Sequence, residues 1–326
     1  MKGTMMKAIT YRKYGAPQVL KLRDVERPVP KEDEVLIRVR ATAVTSRDWR
    51  LRAAAFPGVF WLLGRMHTGL FRPRRKILGS DLAGEIVAVG DRVTRYKPGD
   101  RVFGYSSFGA YAEYVTMSAD GALAPMPANL SYEAAAAIPF GGLTALNFLR
   151  DRADVREGQN VLINGASGCV GTFAVQLAKH FGARVTGVCS AANRHLVASL
   201  GADRVIDYET EDFTESGEVY DIIFDTVGTT KFAKCRRVLA PTGMHLFLCF
   251  GVTELIQALW TARRDGPKAV CGVTQDNREG LATLGRLVAS GAIKPFIDRR
   301  YTLAHTAEAH FYVEQRHKRG SVVVAV

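Results

Sequence analysis

The chain has 326 residues, of which 47% are hydrophobic and 23% charged, so it can bury the cores of two ordinary domains and is not disordered in composition. It has no apolar run long enough to span a membrane and no signal-peptide core at its start, which favours a cytoplasmic protein without a membrane span. The net charge of +12 permits anionic partners, but no basic and aromatic recognition module indicates a specific nucleic-acid partner.

The five cysteines argue against both a disulfide framework and a cysteine zinc site. The first of them is Cys169, their number is odd, and no two have the CxxC spacing. We therefore expect reduced thiols.

The order of predicted elements changes near Pro125 and Pro127. Before them the chain is mainly β, with strands predicted over 7–12, 18–25, 34–44, 85–89, 101–103 and 110–117. After them helices alternate with strands; the strands are expected at 160–164, 184–189, 204–206, 220–225, 244–250 and 268–274, and the helices at 133–137, 141–149, 168–181, 194–200 and 231–239. This alternation predicts an α/β fold with a doubly wound parallel sheet, and the tail after 291 is expected to return to short strands.

A glycine-rich turn follows the first strand of the alternating region. Strand, turn and helix are contiguous in Val161–Gly171, as a dinucleotide pyrophosphate site requires. Gly168 allows close approach of the pyrophosphate, and Gly171 allows tight packing of the helix on the strand. The cofactor contacts predicted from this turn are Gly165, Ala166, Ser167, Gly168, Cys169, Val170 and Gly171.

The second strand of this region, Arg184–Cys189, is not followed by the acid that commonly binds the ribose 2′-hydroxyl of NAD. Ser190, Asn193 and Arg194 follow instead, and a hydroxyl, an amide and a guanidinium suit a 2′-phosphate. These residues favour NADPH over NADH as the cofactor.

Several further stretches make the chain resemble the medium-chain dehydrogenase/reductase superfamily, and within it the zinc-free quinone oxidoreductase branch. They are Gly79–Gly84, Lys97–Val102, Gly109–Tyr114, Leu200–Asp203 and Phe224–Gly228. The resemblance implies a β-rich, GroES-like catalytic domain over 1–128 and 292–326, with a Rossmann domain over 129–291 inserted into it. It also implies a homodimer formed at the Rossmann-sheet edge near Met244–Phe250.

The resemblance also bears on metal chemistry. The positions that hold catalytic zinc in the alcohol dehydrogenases of this superfamily correspond to Thr45, Ser80 and Phe140, which are poor zinc ligands, and the structural zinc loop is missing. Without a metal, reduction of a quinone or an α,β-unsaturated carbonyl compound fits better than oxidation of an alcohol.

The candidate catalytic residues are the donors Thr45, Ser46 and Tyr105, together with Asp48, which we expect to orient its neighbours through a pairing with Arg52. Further cofactor contacts implied by the resemblance are Thr144, Tyr208, Val227, Gly228, Phe250, Gly251 and Ser321, with Arg316 a weaker candidate.

Two alternative functions remain open. One is a metal-free NADP-dependent aldehyde or ketone oxidoreductase, and the other is an NADPH-binding structural or RNA-binding protein with little activity. The segment Ala53–Lys76, which is longer and more apolar than in the quinone reductases, is either a substrate-pocket lid or a membrane-surface segment. Pro57, Gly58, Gly64 and Gly69 interrupt helical continuity there and favour the lid.

Overall fold

The computed structural model describes residues 4–56, 60–274 and 277–326. The chain forms two compact units: the first comprises Met1–Phe140, Asp276–Gly291 and Pro295–Val326, and the second comprises Gly141–Gln275 and Ala292–Lys294. The predicted boundaries at 128/129 and 291/292 therefore differ from those of the structure, which assigns 129–140 and 276–291 to the β-rich unit and 292–294 to the other.

The strands and α-helices of the described chain are, in order, β1 (Met5–Thr10), β2 (Lys21–Glu26), β3 (Glu34–Val44), α1 (Ser46–Ala53), α2 (Phe60–Thr68), β4 (Asp81–Val89), β5 (Arg101–Tyr105), β6 (Tyr114–Ser118), β7 (Leu123–Pro125), α3 (Tyr132–Ala136), α4 (Pro139–Leu146), β8 (Asn160–Asn164), α5 (Cys169–His180), β9 (Arg184–Cys189), α6 (Arg194–Ser199), β10 (Arg204–Asp207), β11 (Tyr220–Asp225), α7 (Phe232–Cys235), β12 (Leu239–Phe247), α8 (Val252–Ala262), β13 (Lys268–Cys271), α9 (Arg278–Ala289), β14 (Ile297–Thr302), α10 (Thr306–Glu314) and β15 (Ser321–Ala325). A π-helical turn, Asn147–Arg152, continues α4.

The first unit is built on a largely antiparallel sheet. Its strand order is β14-β15-β3-β4-β5-β7, with β6 paired to β3, and β1 and β2 form a separate antiparallel pair. The C-terminal strand β15 pairs with β3 in the register Val322↔Val44, so the chain end completes the sheet begun by the N-terminal segment. Alternate residues of β3, including Val35, Ile37 and Val39, lie in one buried cluster, as the period of two predicts.

The second unit is the expected doubly wound domain. Its sheet has the strand order β10-β9-β8-β11-β12-β13, and each neighbouring pair is parallel. Strand order reverses between β8 and β11, and ligands of such sheets bind at the carboxyl ends of the strands at this point. The predicted Rossmann architecture is confirmed.

Three expectations about individual elements were wrong. The tail contains a helix, α10, between β14 and β15. The patterns also did not predict α1, α2, α8 and α9; the last of these begins after the cap residue Asn277, whose Oδ1 accepts from Gly280 N at 2.6 Å. Strand β12 is paired on both sides, by β11 and β13, so the segment near Met244–Phe250 is not a sheet edge and cannot join two copies there. A dimer built on this edge of the sheet would have to use β13.

The third error concerns the segment 53–76. Helix α2 runs through Gly64 and ends at Thr68, so Gly64 does not interrupt it and Gly69 only follows it, while Pro57 and Gly58 lie outside the described residues. Throughout the described residues, no helix is both long and apolar enough to cross a bilayer.

Candidate cofactor and acceptor sites

Two positions in the turn after β8 must be glycine, because a side chain at either one would clash with neighbouring atoms. Gly165 has φ +80°, and a Cβ there would lie 2.6 Å from both Thr226 Oγ1 and Val227 Cγ1. A Cβ on Gly171 would lie 2.1 Å from Gly165 O, so only glycine lets α5 pack this closely on the turn. The amides of Gly165 and Ala166 both donate to Val188 O, at 3.1 and 3.0 Å, which ties the turn to β9.

Gly168 differs from these two because the protein's own packing does not require it. It is the N-cap of α5 with φ −76° and ψ 177°, and a Cβ there would meet only Gly165 O, at 3.3 Å. Gly168 is half-buried, and its missing side chain leaves the backbone uncovered at the start of a helix of 12 residues, where the first-turn N–H groups have no intrahelical acceptors. This cradle fits a pyrophosphate, which needs such N–H groups and the positive end of a helix dipole.

The end of β9 carries the residues expected beside the adenosine ribose. Asn193 Nδ2 donates to Ser190 Oγ at 3.1 Å, and Arg194 begins α6 with an exposed side chain. Burial raises the pKa of the Cys189 thiol to about 11, and the nearby charge of Asp207 adds to this rise. The last residue of β9 is therefore an uncharged thiol at neutral pH. A hydroxyl, an amide and an exposed guanidinium are together suited to a phosphate rather than to a ribose hydroxyl.

Asp225, at the end of β11, was not predicted as a site residue but organises the loop that contains two predicted contacts. Its fully buried carboxylate accepts hydrogen bonds from the amides of Val227, Gly228 and Thr230 at 2.9–3.0 Å and from Asn164 Nδ2 at 3.0 Å. The Thr230 hydroxyl also donates to it, at 2.5 Å. Its position at a strand end beside the switch point is the sequence signal that could have identified it.

The remaining cofactor candidates have different surroundings within their own units. Tyr208 and Val227 are exposed, so their side chains are accessible to a ligand. Thr144 is buried, and its Oγ1 accepts from Thr274 Oγ1 at 3.0 Å. Phe250 packs against the apolar core of the second unit, while Gly251 is the N-cap of α8 and its amide donates to Glu254 Oε2 at 2.7 Å.

Ser321 is the candidate whose surroundings argue most clearly against direct cofactor binding. It is buried in the first unit, and its hydroxyl donates to Ala137 O at 3.1 Å. Arg316, the weaker candidate, has φ +63° and lies with Cζ 5.7 Å from the Trp49 ring.

In the first unit, Thr45 and Asp48 form a capping box at the start of α1. Asp48 Oδ2 accepts from Thr45 N at 2.9 Å and from Thr45 Oγ1 at 2.6 Å, and Thr45 Oγ1 accepts from Asp48 N at 3.3 Å. Both residues are buried. The hydroxyl proton of Thr45 is thus committed to Asp48, and this geometry argues against Thr45 as a donor to substrate, whereas Ser46, one residue on, is half-buried.

Asp48 orients its neighbours, but its expected partner was wrong. Arg52 Nη2 pairs with Glu314 Oε2 at 2.7 Å, and Asp48 instead accepts from Ser80 Oγ at 3.3 Å. Burial raises the pKa of Asp48, while the charge of Arg47 acts in the opposite direction. Burial raises the pKa of the Tyr111 phenol well above its usual value, and the nearby charge of Asp48 raises it further.

Arg47 is a functional candidate of this cluster that the sequence patterns missed. Its Nη1 donates to Ser80 Oγ at 2.7 Å and to Ser107 O at 3.0 Å, and its Cζ lies 5.9 Å from the Tyr105 ring and 5.2 Å from the Phe108 ring. The side chain is only half-buried. The structure therefore brings Ser46, Arg47 and Tyr105 to one region, with a guanidinium flanked by aromatic rings.

The residues at the corresponding zinc positions do not fit a zinc ion. The Thr45 hydroxyl caps α1, Ser80 Oγ bonds Asp48 and Arg47, and Phe140 contributes a backbone amide that donates to Asp81 Oδ1 at 2.7 Å. A guanidinium 2.7 Å from one of these positions would repel a dication. Within the described residues, no group of three or more histidine, cysteine or acidic side chains could hold a metal.

Comparison with known proteins places these features in a family. Residues 31–128 match the alcohol dehydrogenase GroES-like domain, and residues 200–324 match a zinc-binding dehydrogenase domain. The chain is 33% identical, over 98% of its length and 79% of the relative's, to a 2-methylene-furan-3-one reductase of Solanum lycopersicum. The chain belongs to the medium-chain dehydrogenase/reductase superfamily.

Solved structures of this superfamily share the fold over the whole chain. The quinone oxidoreductase of Coxiella burnetii superposes with a TM-score of 0.88 at 31% identity, covering 99% of this chain and 100% of that one. The Escherichia coli quinone oxidoreductase, solved in complex with NADPH, has a TM-score of 0.83 at 27% identity, covering 98% and 100%. As a member of the superfamily, the chain is a nicotinamide-dinucleotide-dependent oxidoreductase with quinone oxidoreductase homologues.

Proposed function

We propose that the chain is an NADPH-dependent, zinc-independent reductase that transfers hydride to quinones or α,β-unsaturated carbonyl compounds. The observation that carries the proposal is the Arg47 guanidinium, which donates to Ser80 Oγ at 2.7 Å. The sequence resemblance matches Ser80 to a zinc ligand of the alcohol dehydrogenases. A fixed cation replaces a metal cation at this point, and it can stabilise negative charge on an oxygen without polarising an alcohol strongly.

The second unit supplies the cofactor site in this proposal. The bare backbone at Gly168 takes the pyrophosphate, and Ser190, Asn193 and Arg194 hold the 2′-phosphate of NADPH. The reduced nicotinamide, when bound, supplies the hydride. The NADPH in the Escherichia coli quinone oxidoreductase supports this choice of cofactor.

The first unit supplies the groups that act on the acceptor. When hydride adds to carbon of an enone or quinone, the electron pair of the π system moves to oxygen, and Arg47 and the Ser46 hydroxyl are the donors that would stabilise that oxyanion before solvent protonates it. The rings of Tyr105 and Phe108, beside the guanidinium, suit a flat, conjugated acceptor. Asp48 and Ser80 are positioning residues, because they bond Thr45 and Arg47. The enone reductase activity in the name of the tomato relative supports the substrate class.

The test is NADPH oxidation by the purified protein with a quinone, an enone, an aldehyde and a ketone, followed by loss of reduced-nicotinamide absorbance. We expect turnover of the quinone or the enone, unaffected by a chelator, in protein that contains no stoichiometric zinc. Turnover confined to the aldehyde and ketone would establish the carbonyl-reductase alternative. NADPH binding without turnover of any acceptor, or activity that requires zinc, would refute the proposal.

Cofactor choice is tested separately with Arg194→Ala. Removal of the guanidinium should raise the Kd for NADPH about tenfold or more, since a charge-assisted phosphate contact of this kind is worth at least about 1.4 kcal/mol, and should leave the Kd for NADH unchanged. The neighbouring substitution His195→Ala, also at an exposed position of α6, is the matched control. Equal loss of both cofactors would contradict the 2′-phosphate role.

A further inference from the structure

Helix α2 is anchored to the first unit along one narrow face. A Cβ on Gly64 would lie 2.5 Å from Phe56 Cγ, so the helix packs against that ring through bare backbone. One turn later, Thr68 is buried and accepts a hydrogen bond from Tyr14 Oη at 3.1 Å. Residues four apart lie on the same side of a helix, so Gly64 and Thr68 define the face turned toward the protein.

The opposite face of α2 is apolar and exposed. At 100° per residue, Leu62, Leu63 and Met66 are centred opposite to Gly64 and Thr68, and their exposed fractions are 53%, 60% and 58%. A surface helix of a globular protein normally has charged or polar side chains there. The apolar surface continues beyond the helix with Leu70 and with Phe71, which is 85% exposed.

A group of cations follows this apolar surface directly. Arg72, Arg74, Arg75 and Lys76 are exposed, and in the part of the chain that the structure describes none of them takes part in an ion pair within 4.0 Å. Residues 60–76 contain no aspartate or glutamate. Pro73 is buried between them and holds the loop to the body of the unit. The segment therefore joins an exposed apolar face to uncompensated positive charge.

We propose that α2 and the loop 70–76, together called the basic apolar segment, bind the surface of an anionic lipid bilayer. The apolar side chains would enter the boundary between headgroups and acyl chains, and the cations would lie among anionic headgroups, which is the pattern of interfacial segments. Charge repulsion argues against a second copy of the chain as the partner of this segment. A two-fold interface would bring the four cations of one copy close to the same four of the other.

The first test is sedimentation of the full chain with phosphatidylcholine vesicles, with and without phosphatidylserine. We expect binding to the anionic vesicles, weakened by salt, and little binding to the neutral ones. Leu63→Glu and the double variant Arg74→Glu/Arg75→Glu should each lower partitioning at least tenfold. The control is Ile256→Glu on α8, because Ile256 is an equally exposed apolar residue outside the segment, at 59% against 60% for Leu63. The control should bind as the wild type does.

The second test locates the contact. Trp49 is buried and Trp61 lies on the anchored face of α2, so in the variant Trp61→Phe/Trp260→Phe/Phe71→Trp the exposed tryptophan stands at position 71, in the loop of the segment. Brominated lipids in anionic vesicles should quench its fluorescence. The proposal is overturned if the wild type does not bind anionic vesicles, if Leu63→Glu binds as the wild type does, if Ile256→Glu loses as much, or if the tryptophan at position 71 is not quenched. A loss of self-association in Leu63→Glu, measured by light scattering, without a change in vesicle binding would make a second copy the occupant instead.

Discussion

The substitution Gly168→Ala separates the cofactor role of the glycine-rich turn from its structural role. The backbone at Gly168, with φ −76° and ψ 177°, is one that alanine adopts freely, and the new Cβ would meet a single atom, Gly165 O, at 3.3 Å. Alanine is a poorer N-cap than glycine, but it also restricts the unfolded chain, and these two effects of up to about 1 kcal/mol each oppose one another. We therefore expect the stability of the cofactor-free protein to change by less than about 1 kcal/mol.

The same methyl group should impair cofactor binding strongly. It would occupy the space through which a pyrophosphate approaches the first-turn amides of α5, and we expect the Kd for NADPH to rise at least tenfold, which corresponds to about 1.4 kcal/mol. Gly171→Ala provides the contrast. Its Cβ would lie 2.1 Å from Gly165 O and 2.8 Å from the Ala166 backbone, atoms that cannot rotate away, so α5 must shift and the protein should lose about 1–3 kcal/mol of stability.

The assay combines thermal unfolding without cofactor and a titration of each variant with NADPH. Gly121→Ala is the matched control, because it also adds a Cβ against one backbone oxygen, Ser118 O at 3.2 Å, but in the β-rich unit. The control should unfold and bind NADPH like the wild type. Wild-type affinity in Gly168→Ala would refute the pyrophosphate assignment, and destabilisation of Gly168→Ala as large as that of Gly171→Ala would refute the distinction between the two glycines.

Three other outcomes follow from the same structure. Asp225→Asn should lower the free energy of unfolding in urea by about 3 kcal/mol or more, because an amide cannot accept from all the donors around this buried carboxylate; Asp221→Asn, at a half-buried position, should cost less. Burial, with the charge of Arg52, lowers the pKa of His310 to about 3, and burial lowers that of His245 to about 4. Below pH 6.5 these two histidines are protonated in the unfolded state but not in the folded state, so the free energy of unfolding should fall as the pH drops from 6.5 toward 4. His310→Phe should remove about half of this dependence of the unfolding free energy on pH, and an unchanged dependence would contradict the assignment. Arg47→Met should lower kcat/KM for the quinone or enone at least tenfold without changing the Kd for NADPH, whereas Arg50→Met should change neither.

The sequence alone was sufficient for those features that depend on contiguous residues. Strand, turn and helix follow one another within Val161–Gly171, and the absence of an acid after β9 is visible directly in Cys189-Ser190. The spacing of the elements from Asn160 onward likewise predicted the parallel sheet, because each βαβ unit is local in the chain. The end of β12 at Phe247 was less accessible, since a buried apolar run does not show where pairing stops.

Tertiary structure decided the features that depend on residues far apart in the chain. Arg52 pairs with Glu314, 262 positions away, rather than with nearby Asp48, and Arg47 reaches Ser80 across 33 positions. Helix α2 continues through Gly64 because the ring of Phe56 fills the space where a Cβ would stand, so packing compensates for the low helix propensity of glycine. Local pattern thus determined the fold class and the cofactor turn, whereas the hydrogen-bond partners of Thr45, Asp48 and Arg47 were set only when the folded chain brought distant donors and acceptors within reach and buried them, where a polar group must find a partner.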